Sequence, residues 1–168
     1  MDVRVEPAHD LDERAMLVAW LEFHRATLES KCATIELSRL AERGVAPSGL
    51  SLLGLVRHLT EVESYWFRTV LADRPVDGYY YDEANPDGDF DDVDGADPAE
   101  ALARWRAECD HSRIVLGTVR DLGAPTLGRR DGKPCTARWV LVHLVEEYAR
   151  HNGHADLLRE ALDGATGE

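Results

Sequence analysis

The chain has 168 residues, which suits one domain, 1–168, with a hydrophobic core that needs no disulfides. Its 32 acidic and 19 basic side chains give a formal charge of −13, which excludes nucleic acid and anionic membrane surfaces as expected partners. Because the three cysteines are widely spaced, and neither a signal peptide nor a membrane-spanning run is found, we expect a cytoplasmic protein with free thiols.

Helical periodicity begins near the N-terminus. Residues 10–13 match a capping box, and apolar side chains follow at helical spacing, which predicts a first helix that ends at about Cys32. A short helical piece is predicted over 34–43. Its two leucines, Leu37 and Leu40, are expected to face inward.

The second helix is predicted from Ser51 to about Ala72. Its apolar face also carries His58, so this histidine is expected to point toward the core. Residues 73–96 are rich in acidic side chains, tyrosine, proline and glycine and show no periodicity, which predicts a long acidic loop. Loops of this length are commonly functional or mobile. The tyrosines at 79–81 are expected to cover the mouth of the helical core or to join a subunit interface.

Asp97 is a predicted N-cap, and the third helix that it begins is expected to stop near Gly123. Residues 124–135 contain turn-forming pairs and predict a turn or small hairpin. Thr136 then caps a fourth helix that runs to about Leu162. Four helices without strands predict an all-α four-helix bundle, with the long acidic loop between helices two and three.

Three tryptophans stand at apolar helical positions and are expected in the core. They are Trp66, Trp105 and Trp139. The acidic loop invites comparison with a calcium site. It lacks the glycine and the glutamate of an EF-hand, so no calcium site is expected there.

The fourth helix carries a polar stripe. At about 100° per residue, His143, Glu147, His151 and His154 share one face, and apolar residues continue that face in both directions. The stripe should therefore turn toward the core. An inward carboxylate is costly unless it is paired, and a metal ion held together with imidazoles is one way to satisfy it.

Glu147 and His151 lie one helical turn apart and can reach the same ion. His58, from the second helix, would complete a three-ligand site with a position open to water or substrate. The Glu-x-x-x-His spacing also occurs as an ordinary surface pair, so periodicity alone leaves both interpretations open. His143 and His154 are expected beside the ligands or in the pocket wall.

Residues 54–63 and 147–159 resemble the two signature helices of the DinB-like (YfiT-like) metalloenzyme superfamily, and the helix order agrees over nearly the whole chain. In that superfamily one histidine of the second helix and a His-x-x-x-His or Glu-x-x-x-His pair of the fourth bind a divalent ion. The resemblance implies that His58, Glu147 and His151 bind zinc, with nickel as the alternative.

Two further residues place the chain within the superfamily. Gly153 follows His151 by two residues, as a glycine typically follows the second ligand histidine of the family. Glu147 stands where the common form has histidine, which assigns the chain to the Glu-x-x-x-His branch, related to mycothiol-dependent maleylpyruvate isomerase. Maleylpyruvate itself is not implied as the substrate.

The resemblance implies a metal-dependent transferase that adds a low-molecular-weight thiol to a small electrophile, and a homodimer through helix faces. Two alternatives stay open. One is a metal-dependent hydrolase, with Glu147 as ligand or His154 as general base. The other is a non-enzymatic stress-response module that binds metal adventitiously.

Overall fold

The computed structural model describes residues 4–166, and every regular element among them is helical. The elements are α1 (Glu13–Ala33), a 3₁₀ turn (Leu37–Arg39), α2 (Leu52–Glu63), a π-helical continuation of α2 (Ser64–Leu71), α3 (Gly88–Asp91), α4 (Pro98–Thr118) and α5 (Ala137–Asp163). The all-α prediction is confirmed. None of these helices combines the length and hydrophobicity that a membrane span requires.

Local caps explain where the later helices begin. The Thr136 side chain accepts the N–H of Trp139 at 3.2 Å at the start of α5, and Asp97 accepts the N–H of Ala99 at 2.9 Å at the start of α4. Ser51 caps α2 in the same way. Helices α4 and α5 therefore begin at the caps that the sequence predicted.

Two predicted helix boundaries are wrong. The N-cap of α1 is Asp12, which accepts the N–H of Ala15 at 2.9 Å, so the capping box predicted over 10–13 does not form. Helix α4 ends at Thr118, short of Gly123, because the backbone of the next residue is extended. That residue's carbonyl then accepts a hydrogen bond from the first helix.

Two side chains that were predicted to face inward, Leu37 and Trp139, are exposed. The 3₁₀ turn is only three residues long, and it buries Leu40 fully while leaving Leu37 47% exposed. Trp139 is 46% exposed, whereas Trp66 and Trp105 are buried as predicted. Trp139 lies on the first turn of α5, where the long helices offer it no full cover.

Helix packing places α2 beside both α4 and α5, while α1 packs against α5. The fully buried leucines of this core include Leu21, Leu28, Leu55, Leu59, Leu144 and Leu158. The segment predicted as a structureless acidic loop contains α3, which packs against α2. Helices α2, α3 and α5 therefore meet around His58.

Candidate metal centre

The structure brings the three predicted ligands together. Ligand atoms of His58, Glu147 and His151 all lie within 4.8 Å of one another. Glu147 Oε2 is 3.4 Å from His151 Nε2, one turn along α5, and 3.9 Å from His58 Nε2 on α2. His151 is buried, and the other two side chains are half-buried.

The carboxylates in and beside this cluster favour the binding of positive charge. Hydrogen bonding to His151 and His58 holds the pKa of the Glu147 carboxyl well below its usual range, although burial opposes the effect. Burial lowers the pKa of His58, but the carboxylates of Asp89 and Glu147 outweigh it and raise the pKa to about 9. The same field that favours a proton here favours a metal cation.

Each of the three side chains has a polar neighbour on its far side. His58 Nδ1 lies 2.9 Å from Asp89 Oδ2. Glu147 Oε1 lies 3.3 Å from His143 Nε2. His151 Nδ1 lies 3.4 Å from His154 Nδ1. Such outer contacts orient metal-binding side chains and select the histidine tautomer.

His143 and His154 lie on α5 beside the residues predicted to bind metal, where the sequence placed them. Burial lowers the pKa of both imidazoles. His143 stacks on Trp139 with ring centroids 5.0 Å apart and meets Trp66 edge-on at 4.6 Å. These ring contacts fix the orientation of His143 against Glu147.

Asp89 was missed by sequence reasoning. It lies in α3, is buried, and was considered only within a calcium pattern that the sequence excludes. When Nδ1–H of His58 donates to Asp89, Nε2 is the ring nitrogen directed at Glu147 and is the one available to a metal ion. Phe90 stacks on the His58 ring at 4.8 Å and holds it in this orientation. No spacing in the sequence distinguishes Asp89 from the other acidic residues of its segment.

The donor set fits a divalent ion. Two imidazoles and one carboxylate are the ligands of many catalytic zinc sites, which keep a fourth position open. Two ligands about 2.1 Å from a tetrahedral ion are roughly 3.4 Å apart, a spacing that Glu147 and His151 already have. A second group, His143 with Glu146 and Glu147, has similar spacing, but Glu146 is exposed and pairs with Arg150.

A cavity of about 250 Å³ opens beside His58. Aromatic and acidic side chains dominate its wall, and among residues 4–166 no lysine or arginine lines it. The lining consists of His58, Glu61, Val62, Tyr65, Trp66, Tyr81, Pro86, Asp87, Asp89 and Phe90. Of the three predicted ligands only His58 lines this cavity, so the cavity adjoins the cluster at His58.

Glu61 anchors the segment that forms one side of the cavity. Its Oε1 accepts the backbone N–H groups of Tyr79 and Tyr80, each at 2.6 Å. Burial raises the pKa of this carboxyl, and the two backbone hydrogen bonds oppose that rise. Of the three tyrosines predicted to cover the mouth, Tyr81 lines the cavity, whereas the Tyr79 hydroxyl donates to Glu108 and the Tyr80 ring lies against Arg57.

Comparison with models of known protein families matches residues 16–164 to the family described as mycothiol-S-transferase. The match includes both helices of the candidate centre. The chain therefore belongs to this family and to the DinB-like superfamily, as its sequence motifs indicated. A search of curated proteins found no match.

Proposed function

We propose that this member of the mycothiol-S-transferase family transfers mycothiol to a small electrophile at a metal centre formed by His58, Glu147 and His151. The observation that carries the proposal is the convergence of two imidazole nitrogens on one carboxylate oxygen beside a cavity of about 250 Å³. We take zinc as the ion, with nickel as the alternative. The four long helices would then act as a four-helix bundle that holds this site within a single domain.

In the overall reaction the thiol sulfur forms a bond to the electrophilic carbon. The leaving group departs with its bonding electron pair, and the thiol proton passes to solvent. A divalent ion held by His58, Glu147 and His151 would supply the activation, because coordination lowers the pKa of a thiol and favours the thiolate near neutral pH.

The protein's own contribution is positioning. Asp89, His143 and His154 each contact one of the three side chains proposed as ligands and hold its orientation. Glu61 holds the tyrosine segment at the cavity mouth. The electrophile is thereby confined next to His58, where proximity and orientation lower the barrier.

The test uses protein purified without a histidine tag. We expect about one divalent ion per chain, and conjugation of 1-chloro-2,4-dinitrobenzene only when mycothiol is present. Chelation should abolish conjugation, and added zinc should restore it. Consumption of electrophiles without thiol would instead favour the hydrolase, and a protein without stoichiometric metal would favour the non-enzymatic module.

The cavity wall favours a particular class of electrophile. Four of its side chains are aromatic and suit a flat apolar ring: Tyr65, Trp66, Tyr81 and Phe90. Three carboxyl side chains, Glu61, Asp87 and Asp89, lie in the same wall and would repel an anion. The proposed substrate is therefore a neutral or cationic aromatic electrophile.

Charge selectivity can be measured with two chloronitroarenes. We expect kcat/KM for 1-chloro-2,4-dinitrobenzene to exceed that for 4-chloro-3,5-dinitrobenzoate by about tenfold or more, after correction for their uncatalysed rates with thiol. Asp87 is exposed and makes no side-chain capping bond, so Asp87→Lys should narrow this ratio several-fold. Asp77→Lys, with the same charge change away from the cavity wall, is the matched control. Equal rates for both compounds would contradict the charge argument.

A further inference from the structure

A second cavity, of about 650 Å³, lies away from the candidate metal centre. It is formed by the end of the π-helical segment, the last turns of α4 and the chain that leads to α5. It shares no lining residue with the cavity beside His58. Leu71, at its edge, follows His58 by thirteen residues in one continuous helix, which is about 20 Å at 1.5 Å per residue.

The wall of this cavity is largely apolar. Leu71 and Val115 are buried behind it, whereas Ile114 and Leu127 border it with 68% and 75% of their surface exposed. Large aliphatic side chains that cluster around one concavity mark a binding site more often than isolated ones do. Its volume falls in the usual range for small-molecule pockets, about 300–1,000 Å³.

Two cationic side chains also line this cavity. Among residues 4–166, Arg74 and Arg120 are the arginines whose guanidinium groups have neither a hydrogen bond nor an ion pair, and both line this cavity. This is notable in a chain with a formal charge of −13. One carboxylate, Asp121, also lines the cavity, and its Oδ1 accepts the N–H of Gly123 at 2.8 Å. His111 adds an imidazole to the same wall.

We propose that this second cavity binds a small amphipathic anion. The apolar body of the ligand would lie against Leu71, Ile114, Val115 and Leu127, and its acidic group would lie between Arg74 and Arg120. Guanidinium groups bind carboxylate, sulfonate and phosphate groups by charge-assisted hydrogen bonds. The site needs neither the metal nor the thiol, so it stands independently of the proposed transferase function.

The experiment titrates the full chain with decanoate, and in parallel with 1-decanol and decyltrimethylammonium, by calorimetry below their micelle-forming concentrations. We expect the affinity for decanoate to exceed that for 1-decanol and that for decyltrimethylammonium by about tenfold or more. In NMR spectra of the same titration, amide shifts should change at 111–118 and 124–127 and not at His58. An alcohol that binds as tightly as decanoate, shifts that map to the metal centre, or no decanoate binding would each overturn the proposal.

A double variant tests the two arginines. Arg74→Gln with Arg120→Gln should weaken decanoate binding by about tenfold or more and leave decanol unchanged. Both side chains are exposed and make no hydrogen bond or ion pair within 4–166, so the fold should survive. Arg43→Gln with Arg106→Gln removes the same charge from other surface positions and should have little effect. If both double variants lose affinity equally, net charge alone explains binding and the site is refuted.

Discussion

Replacing His58 with alanine is expected to abolish thiol transfer and to lower metal affinity by more than about a hundredfold. Loss of a residue that only contacts a metal ligand typically lowers metal affinity by about 10–100-fold. Loss of a direct ligand should lower it more, which sets the bound of about a hundredfold. His58 supplies the only proposed ligand from α2, so without it the site keeps two ligands from one helix turn. Metal content, measured by mass spectrometry after dialysis, and conjugation rates check this result.

Companion variants separate ligand loss from damage to the fold. His58→Ala leaves the buried carboxylate of Asp89 without its imidazole partner, which costs stability. His58→Gln keeps an N–H donor for Asp89 and should also be inactive. Asp89→Asn should lose about 10–100-fold in metal affinity. Normal metal content and normal thiol transfer in folded His58→Gln would contradict the assignment of His58 as a ligand.

Glu147→His provides the converse test. The common DinB-like form has histidine at this position, so this variant should still bind a divalent ion. The His143 contact, however, depends on a carboxylate oxygen at 3.3 Å and would change. We expect metal binding to survive while its pH dependence shifts, because a third neutral ligand replaces a charged one. The exposed His9, replaced by alanine, is a control that should alter neither property.

The sequence predicted the helices where the determining interactions are local. Thr136 and Asp97 begin α5 and α4 because a side-chain oxygen reaches a backbone N–H two or three residues ahead. Burial depends on other elements and was less predictable. Trp139 occupies an apolar helical position, yet no neighbouring element covers it fully. The predicted burial of Leu37 is wrong for the same reason.

In the candidate site, too, contacts within one helix were predictable from periodicity and contacts between elements were not. Glu147 and His151 share a face of one helix, so their spacing alone brings them together. The meeting with His58 follows from the packing of α2 against α5, which the superfamily resemblance implied and periodicity could not fix. Asp89 reaches the site through α3, a four-residue helix within a segment without periodicity. Only the tertiary fold reveals that contact.

Breaking a buried ion pair should cost the fold more stability than breaking an exposed one. Arg25 Nε donates to Glu63 Oε1 at 2.8 Å, and Nη2 donates to Oε2 at 2.6 Å. Tyr148 donates its hydroxyl to Glu63 Oε1 at 2.7 Å and accepts the indole N–H of Trp105 at 2.8 Å. Glu63 is 0% exposed. One carboxylate and its partners thus connect all four long helices.

Arg25→Met is expected to cost about 3–5 kcal/mol of unfolding free energy, because it leaves the Glu63 charge buried without a counter-ion. Denaturant unfolding followed by circular dichroism, with chelator present so that metal does not contribute, measures the loss. The exposed pair of Arg106 with Glu29, which shares no partner with Arg25, is the comparison, and Arg106→Met should cost about 1 kcal/mol or less. Similar losses for the two variants would contradict the cost assigned to an unpaired buried charge.

The double variant Arg25→Met with Glu63→Gln distinguishes an unpaired charge from lost packing. Glutamine is neutral but can still accept the hydroxyl of Tyr148, so the double variant should be more stable than Arg25→Met alone. If packing of the Arg25 side chain were the whole effect, Glu63→Gln would add a further loss. Because Tyr148 directly follows Glu147 on α5 and Glu63 lies on the helix of His58, the same network also fixes the separation of the proposed ligands. Folded Arg25→Met should therefore bind zinc more weakly than the unchanged protein, whereas Arg106→Met should not.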